Sequence, residues 1–560
     1  MFQIAGAFSR MRRFRRLRIW LAAAVVGTQL AMVTGMLPSG HTGRAWADDT
    51  TASHNNLRTG WDPNEPGLSP AVVGGGRFGQ KFSTAVNGKT YAQPLVVGSM
   101  LIVATENDWV YGLNATTGHI VWQRSLGTPY HITSCAALTP NIGVTGSPVY
   151  DAANGNVYLI AQVMSSTGPT YRMFGLKAKT GKLITGPLIH GTATNKPGFA
   201  FSPTQELQRP GLLLMNGWIY AAFGSHCDSR PYTGFVAGVN VGSGRETLWA
   251  DETGATDGLA GIWQSGSGLM SDGPGRIFFA SGNGTDPAPG PGSPPGGHLG
   301  ESVVRLAVQP SGSLVARDFF SPANAPALDT KDIDLGSGGP VGLPFGTRAD
   351  PDLLVQAGKD GRLFMLNRDH LGGREQGPHG TDAAVGVFGP FKGEWNHPAA
   401  FADTPTLTPA DSAAAHDFIY YLGTGDRLRI LKAGVTGSGT PTLTDVANTA
   451  NYFGYSSGAP VVTSNGTTAS SAVVWDVYAS GPYGGDGTLR AYRAVPPGSC
   501  TGAAPCAPRP IWSASIGTAV KFEIPAVSNG MVYVAAAGHV LGFGSTAPPA
   551  RTAGRGRPSS

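Results

Sequence analysis

The sequence predicts an all-β chain, an eight-bladed β-propeller of four-stranded antiparallel blades closed by the N-terminal strand. Three observations lead there. A unit of apolar strand, Gly turn, second apolar strand and a Thr-Gly turn followed by Trp recurs along the chain. Gly (82 residues) and Pro (43) abound, and Val, Ile, Tyr, Phe and Trp fall in short alternating runs, which suits strands and turns rather than helices. Such a unit cannot bury its own faces, so it must stack on its neighbours.

Residues 1–47 contain no acid and seven Arg, then an apolar stretch from Ile19 to Leu37, then Ala45-Trp46-Ala47 before Asp48. That pattern reads as a signal peptide cleaved after Ala47, giving a secreted (extracellular) protein with no membrane attachment after cleavage. The pairs Arg12-Arg13 and Arg15-Arg16 leave the Sec and twin-Arg routes both open. Residues 48–545 are expected to form the propeller, and 546–560, with Arg551, Arg555 and Arg557, a disordered tail.

An orphan strand from Phe78 to Val86 precedes the first full copy of the repeat. The last copy, Ile524 to Phe543, lacks an outer strand, so the N-terminal strand is expected to complete the C-terminal blade. The first copy is the clearest: Tyr91-Ala92-Gln93-Pro94, Leu101 to Ala104, Trp109 to Asn114, Thr117-Gly118 and Trp122. Weaker copies begin near Ser147, Pro210, Gly266, Gly339, Thr404, Ala459 and Pro525. Spacings of roughly 50 to 70 residues exceed the ~40–45 of a WD40 blade. The excess lies in Gly/Pro-rich loops such as 285–300.

Removing the seven leader Arg from the 40 basic residues leaves 33 against 35 acidic ones, so the mature chain is near −2 rather than +5. No basic stripe or nucleic-acid motif remains, which argues against a nucleic-acid partner. Four Cys in an exported chain suggest two disulfides. Cys500 and Cys506 share one loop, which would leave Cys135 with Cys227, although four Cys allow three connectivities. No haem-attachment or zinc spacing occurs, and no G-x-S-x-G elbow or phosphate loop.

A propeller presents inner-strand ends around an axial mouth, so chemistry is sought there. Four polar segments stand out: 223–228 with His226, Cys227 and Asp228; 261–266 with Trp263 and Gln264, followed by Ser281-Gly282-Asn283-Gly284; Lys331-Asp332-Ile333-Asp334; and Gly358-Lys359-Asp360-Gly361. Glu301 leaves the long Gly/Pro loop and is a further candidate acid or calcium ligand.

At these residues the chain resembles the pyrroloquinoline quinone (PQQ) propeller dehydrogenases, and more closely a group of secreted PQQ-like repeat proteins. The resemblance runs from Asn56-Leu57-Arg58-Thr59-Gly60-Trp61 through Gln208-Arg209-Pro210-Gly211 to Lys521-Phe522. It implies PQQ stacked on Trp263, with Gln264 beside it and Lys359 at a quinone oxygen. It also implies a calcium ion held by Asn283 and Asp228, and Asp332 or Asp334 as the catalytic base. Two family features lack a counterpart: adjacent Cys residues against one quinone face, where only Cys135 stands, and an Arg near Asn141-Ile142-Gly143.

The functional expectation is therefore a quinoprotein dehydrogenase oxidising a small alcohol or sugar with PQQ and calcium and passing electrons to an external acceptor. The alternative is a non-catalytic propeller binding an extracellular polysaccharide or a partner protein, because outer-membrane assembly lipoproteins and surface scaffolds share these repeats. A polysaccharide lyase or hydrolase using Glu301, His226 and the aspartates is a third.

Overall fold

Eight successive, mainly antiparallel sheets form the blades of the computed structural model, with two further two-stranded pairs, Tyr130–His131 with Asn141–Ile142 and Gly346–Thr347 with Thr406–Leu407; the structure describes residues 48–133, 138, 140–254, 258–408 and 415–546. Blade one is Leu95–Val97, Met100–Ala104, Trp109–Asn114 and Ile120–Ser125. Blades two to seven start from Val149–Asp151, Glu206–Gln208, Arg276–Ala280, Val341–Gly342, Ala399–Phe401 and Val461–Thr463. Blade eight is Ala526–Ser528, Met531–Ala536 and His539–Ser545, with Phe78–Ala85 paired to its last strand. The leader, Cys135 and residues 547–560 of the expected tail lie outside the described residues. Among the described residues no helix is long and apolar enough to cross a membrane.

The expectation of uniform four-stranded blades closed by the N-terminal strand is corrected. Blades hold three to five strands: blade four has three, blades two, three and seven have five. In blade three the inner edge is split between Glu206–Gln208 and Leu213–Met215, and in blade seven Trp61–Asp62 adds a parallel strand. Among the described residues no sheet closes on itself. Each is open, and Phe78–Ala85 is the edge strand of blade eight. What joins blade eight to blade one is side-chain packing, with Phe82, Tyr533 and Val540 against Val96, Leu101 and Tyr111. Equivalent apolar layers lie between the other consecutive blades, for example Leu159 and Phe174 of blade two against Ile102 and Val110 of blade one.

The Thr-Gly…Trp signature has a local cause. Asn114 Oδ1 accepts the Thr116 and Thr117 N–H groups, and Gly118 takes φ +71°, turning the chain into the outer strand. Trp122 then reaches sideways: its Nε1 donates to Ala178 O of the next blade at 3.0 Å. A Cβ at Gly112 or Gly181 would stand 2.2 or 2.4 Å from its ring, so glycine at both is what admits the indole.

Residues 49–60 touch every blade. Their carbonyls accept N–H groups from Val96, Tyr150, Ser271, Gly342, Ala400 and Val462, on blades one, two, four, five, six and seven. Asp49 Oδ2 accepts Val527 N–H of blade eight at 3.2 Å, and Arg58 Nη2 donates to Leu212 O beside blade three at 3.0 Å. Arg58 is fully buried and also donates to Leu269 O, Ala52 O and Thr51 Oγ1. Ser53 Oγ bonds His397 Nε2 at 2.7 Å, while His397 Nδ1 donates to Pro398 O, which fixes a proton on Nδ1. Burial holds the His397 pKa down to about 4.

Candidate functional site

Trp263 is placed by two glycines. Ile262 N–H bonds Phe223 O at 3.1 Å, which ties the 261–266 segment to the end of blade three. A Cβ on Gly224 would lie 2.8 Å from Trp263 Cδ2, and one on Gly261 would lie 2.7 Å from its Nε1, so the indole rests on bare backbone. Gln264 and Ser265 follow with φ of 44° and 30°. Other non-glycine residues with positive φ, Cys227, Asp228, Glu301, Asp332 and Phe522, lie in the segments around it. Clustered backbone strain of this kind is a mark of functional regions.

Trp263, Asp228, Asp334 and Lys359 line one cavity of about 220 Å³, together with Arg209, Cys227, Trp395 and Lys521. Lys359 is its electrostatic hub. The ammonium pairs with Asp334 Oδ2 and with Asp332 Oδ1 at 3.3 Å, and lies 5.8 Å from the Trp395 ring centre. Burial alone would lower its pKa, but Asp334 and Asp332 outweigh burial and raise it. Asp334 Oδ1 accepts Asn283 N–H at 3.0 Å, a contact permitted by Gly282, whose Cβ would stand 2.6 Å from that oxygen.

The other candidates are placed differently. Asn283 Nδ2 donates to Asp332 Oδ1 at 3.0 Å, so Asn283, Asp332, Asp334 and Lys359 form one polar group, with Asp332 67% exposed at its outside. Asp228 accepts the Tyr232 hydroxyl at 2.9 Å, and burial raises its pKa. Gln264 is fully buried and ties its loop to blade four, accepting Ala280 N–H and donating to Gly268 O, and it does not line the cavity. Glu301 is buried behind Leu335, whose N–H it accepts at 2.6 Å; burial, then the Asp334 charge, pushes its pKa well up. His226 does not line the cavity either, and burial lowers its pKa to about 4. The acid–base set of a lyase or hydrolase is therefore not assembled there.

The cavity also draws on residues that the sequence does not mark as site candidates. Arg209 and Lys521 stand inside the repeat matches Gln208-Arg209-Pro210-Gly211 and Lys521-Phe522, where nothing separates them from ordinary strand-end cations. Trp395 and the Cys227 sulfur, which is held in a disulfide, complete the set. Cys500 and Cys506 form the second disulfide, with Cα atoms 5.2 Å apart.

The cavity lining carries groups that suit a planar quinone, whereas no calcium site is assembled among the described residues. Trp263 offers an aromatic face, and Lys359, Arg209 and Lys521 offer positive charge. Calcium needs six to eight oxygen ligands. Asn283 Oδ1 and Glu301 Oε1 each lack a hydrogen-bond partner, but Asp334 is engaged on both oxygens and Asp228 is bound to Tyr232. Among the described residues no group of three or more His, Cys, Asp or Glu is arranged to hold a metal.

Comparison with known proteins agrees with the fold. Residues 79–196 match the family described as outer membrane protein assembly factor BamB. Quinohemoprotein alcohol dehydrogenase from Comamonas testosteroni is similar at 15% identity and TM-score 0.58, over 90% of this chain and 82% of that one. The ADHIIG quinohemoprotein alcohol dehydrogenase of Pseudomonas putida HK5 gives 13%, 0.56, 91% and 82%. A europium-containing methanol dehydrogenase gives 12%, 0.54, 89% and 98%. No curated protein matches the chain. The fold is thus a PQQ-like, BamB-type β-propeller.

Proposed function

We propose that this propeller is a quinoprotein dehydrogenase that binds a planar quinone of the PQQ class in its mouth and oxidises an alcohol or sugar. The observation that carries the reading is that Trp263, Asp334 and Lys359, spread over almost a hundred residues of sequence, line one cavity. The quinone, when bound, supplies the hydride acceptor. Trp263 holds the flat ring, its own position set by Gly224 and Gly261. Lys359 places a fixed positive charge where a quinone oxygen gains electron density. Asp334 takes the hydroxyl proton, since it lines the cavity and Asp332 does not. No step of this reading is routed through calcium: of its expected ligands Asp228 accepts the Tyr232 hydroxyl, while Asn283 Oδ1 and Glu301 Oε1 have no hydrogen-bond partner.

Titration of the purified protein with PQQ, followed by quinone absorbance and by dye-linked oxidation of a panel of alcohols and sugars, tests the proposal. Saturable quinone uptake lost in Trp263→Ala supports it; absence of uptake by the folded wild type overturns it.

A second reading, a propeller that binds polysaccharide without chemistry, is favoured by the aromatic rim. Trp395 lies 5.2 Å from Tyr455, and Tyr455 and Tyr483 are 41% and 55% exposed. Binding of a polysaccharide by the quinone-free protein, lost in Tyr455→Ala, would favour this reading.

A further inference from the structure

We propose that Arg209 and Lys521 form a carboxylate-binding corner of the mouth, so that the ligand it takes presents a carboxylate there. The inference deepens the reading of this cavity as a ligand site and rests on it.

Arg209 is 5% exposed, and both its Nη1 and Nη2 are shielded from solvent with no hydrogen-bond partner. A guanidinium carries five N–H donors, and leaving them buried and unpaired is costly. Arg58, equally buried, shows the ordinary solution: its nitrogens donate to Leu212 O, Leu269 O, Ala52 O and Thr51 Oγ1. Arg209 instead lies against Gly266, where an added Cβ would meet Nη1 at 3.2 Å and Nη2 at 3.3 Å, and it lines the cavity.

No protein carboxylate answers it by hydrogen bond. Burial lowers the Arg209 pKa to about 10, and Glu106 favours its charge through space only: Glu106 Oε2 accepts Gly143 N–H and the Thr145 hydroxyl, and its Oε1 makes no hydrogen bond to Arg209 or to any other group. Glu523 accepts Val520 N–H, and its burial keeps its pKa well up.

A second cation shares the wall. Lys521 lines the same cavity with its ammonium 5.4 Å from the Tyr483 ring centre, and burial followed by the Arg209 charge lowers its pKa to about 8. Two cations facing one cavity, one with two unspent donors, match the fork geometry and charge of a carboxylate. Leu207, Trp263 and Phe522 beside them give its carbon body an apolar bed. The carboxylate has two possible sources: the planar cofactor itself, or a sugar acid lying on Trp395 and Tyr455.

Binding of four probes to the mature protein separates these, read by tryptophan fluorescence or calorimetry: PQQ, its trimethyl ester, galacturonate and galactose. At least one acid is expected to bind ten-fold or more tighter than its neutral counterpart, and that advantage to fall below about three-fold in Arg209→Gln and in Lys521→Gln. The pair showing it identifies the source. Lys521, at the cavity edge, carries the test if Arg209→Gln fails to fold. Equal binding of acid and neutral probes, an advantage that survives both substitutions, or no binding of any probe overturns the corner. PQQ and its ester binding alike, with galacturonate no tighter than galactose, would overturn the corner and leave the quinone reading standing. Galacturonate preference without PQQ uptake does the reverse.

Discussion

Gly224→Ala isolates the support of Trp263 from Trp263 itself. The new Cβ would sit 2.8 Å from Cδ2 and 2.9 Å from Cε3 of the indole, where carbon atoms settle at about 3.5–4.0 Å. Position 224 is not in the left-handed region, so alanine suits the backbone and the strain falls on the contact. The indole has to retreat by about 1 Å into the cavity or tilt out of it. Overpacking of this kind costs about 1–3 kcal/mol, and a displacement of that size at a reacting centre costs about 100-fold in rate. The expected outcome is a small drop in melting temperature with at least a ten-fold loss of quinone affinity, followed by absorbance titration. Gly79→Ala, with nothing within 4 Å of its added Cβ, serves as the control and should bind as wild type. A folded Gly224→Ala protein that takes up quinone as wild type does would refute Trp263 as the stacking face.

Asp334→Asn should lower dye-linked turnover by about 10²- to 10⁴-fold with quinone uptake retained, whereas Asp332→Asn, at a 67% exposed carboxylate, should change it far less; steady-state rates decide. Arg58→Met should cost about 3 kcal/mol or more by denaturant unfolding, because it strips hydrogen bonds from the buried Leu212, Leu269 and Ala52 carbonyls. His397 binds its proton near pH 4 when folded but near 6.5 when unfolded, so between these values the unfolded state holds more protons and stability falls as pH falls. His397→Gln should therefore flatten that acid slope by about 3 kcal/mol over the window, seen as converging melting curves of the two proteins.

The blades were legible because each repeat carries its own punctuation: Asn114 to Gly118 sets a turn, and Trp122 answers Gly181 one blade on. Strand number was not, because short edge pieces such as Trp61–Asp62 pair according to what lies beside them rather than by any pattern of their own. Trp263, Asp334 and Lys359 stood out as polar or aromatic residues beside glycines that let backbones and rings approach. Gln264 shared that setting and turned inward, since a side chain amide can satisfy loop N–H and C=O groups equally well. Arg209 was silent in the sequence: a buried guanidinium and a surface one are spelled alike, and only its missing acceptors distinguish it.

The way residues 49–60 reach all eight blades also constrains the order of assembly. Asp49 finds its Val527 partner 478 residues further along, and Phe78–Ala85 waits for His539–Ser545. On a chain synthesised from its N-terminus, the first structured residues are thus among the last to be satisfied, and early blades stand with an open flank until the last one arrives. Such long-range pairing slows folding and prolongs the exposure of strand edges. A chain stopped short of Val527 would lose a partner for Asp49 and the support of blade one on its blade-eight flank at the same time.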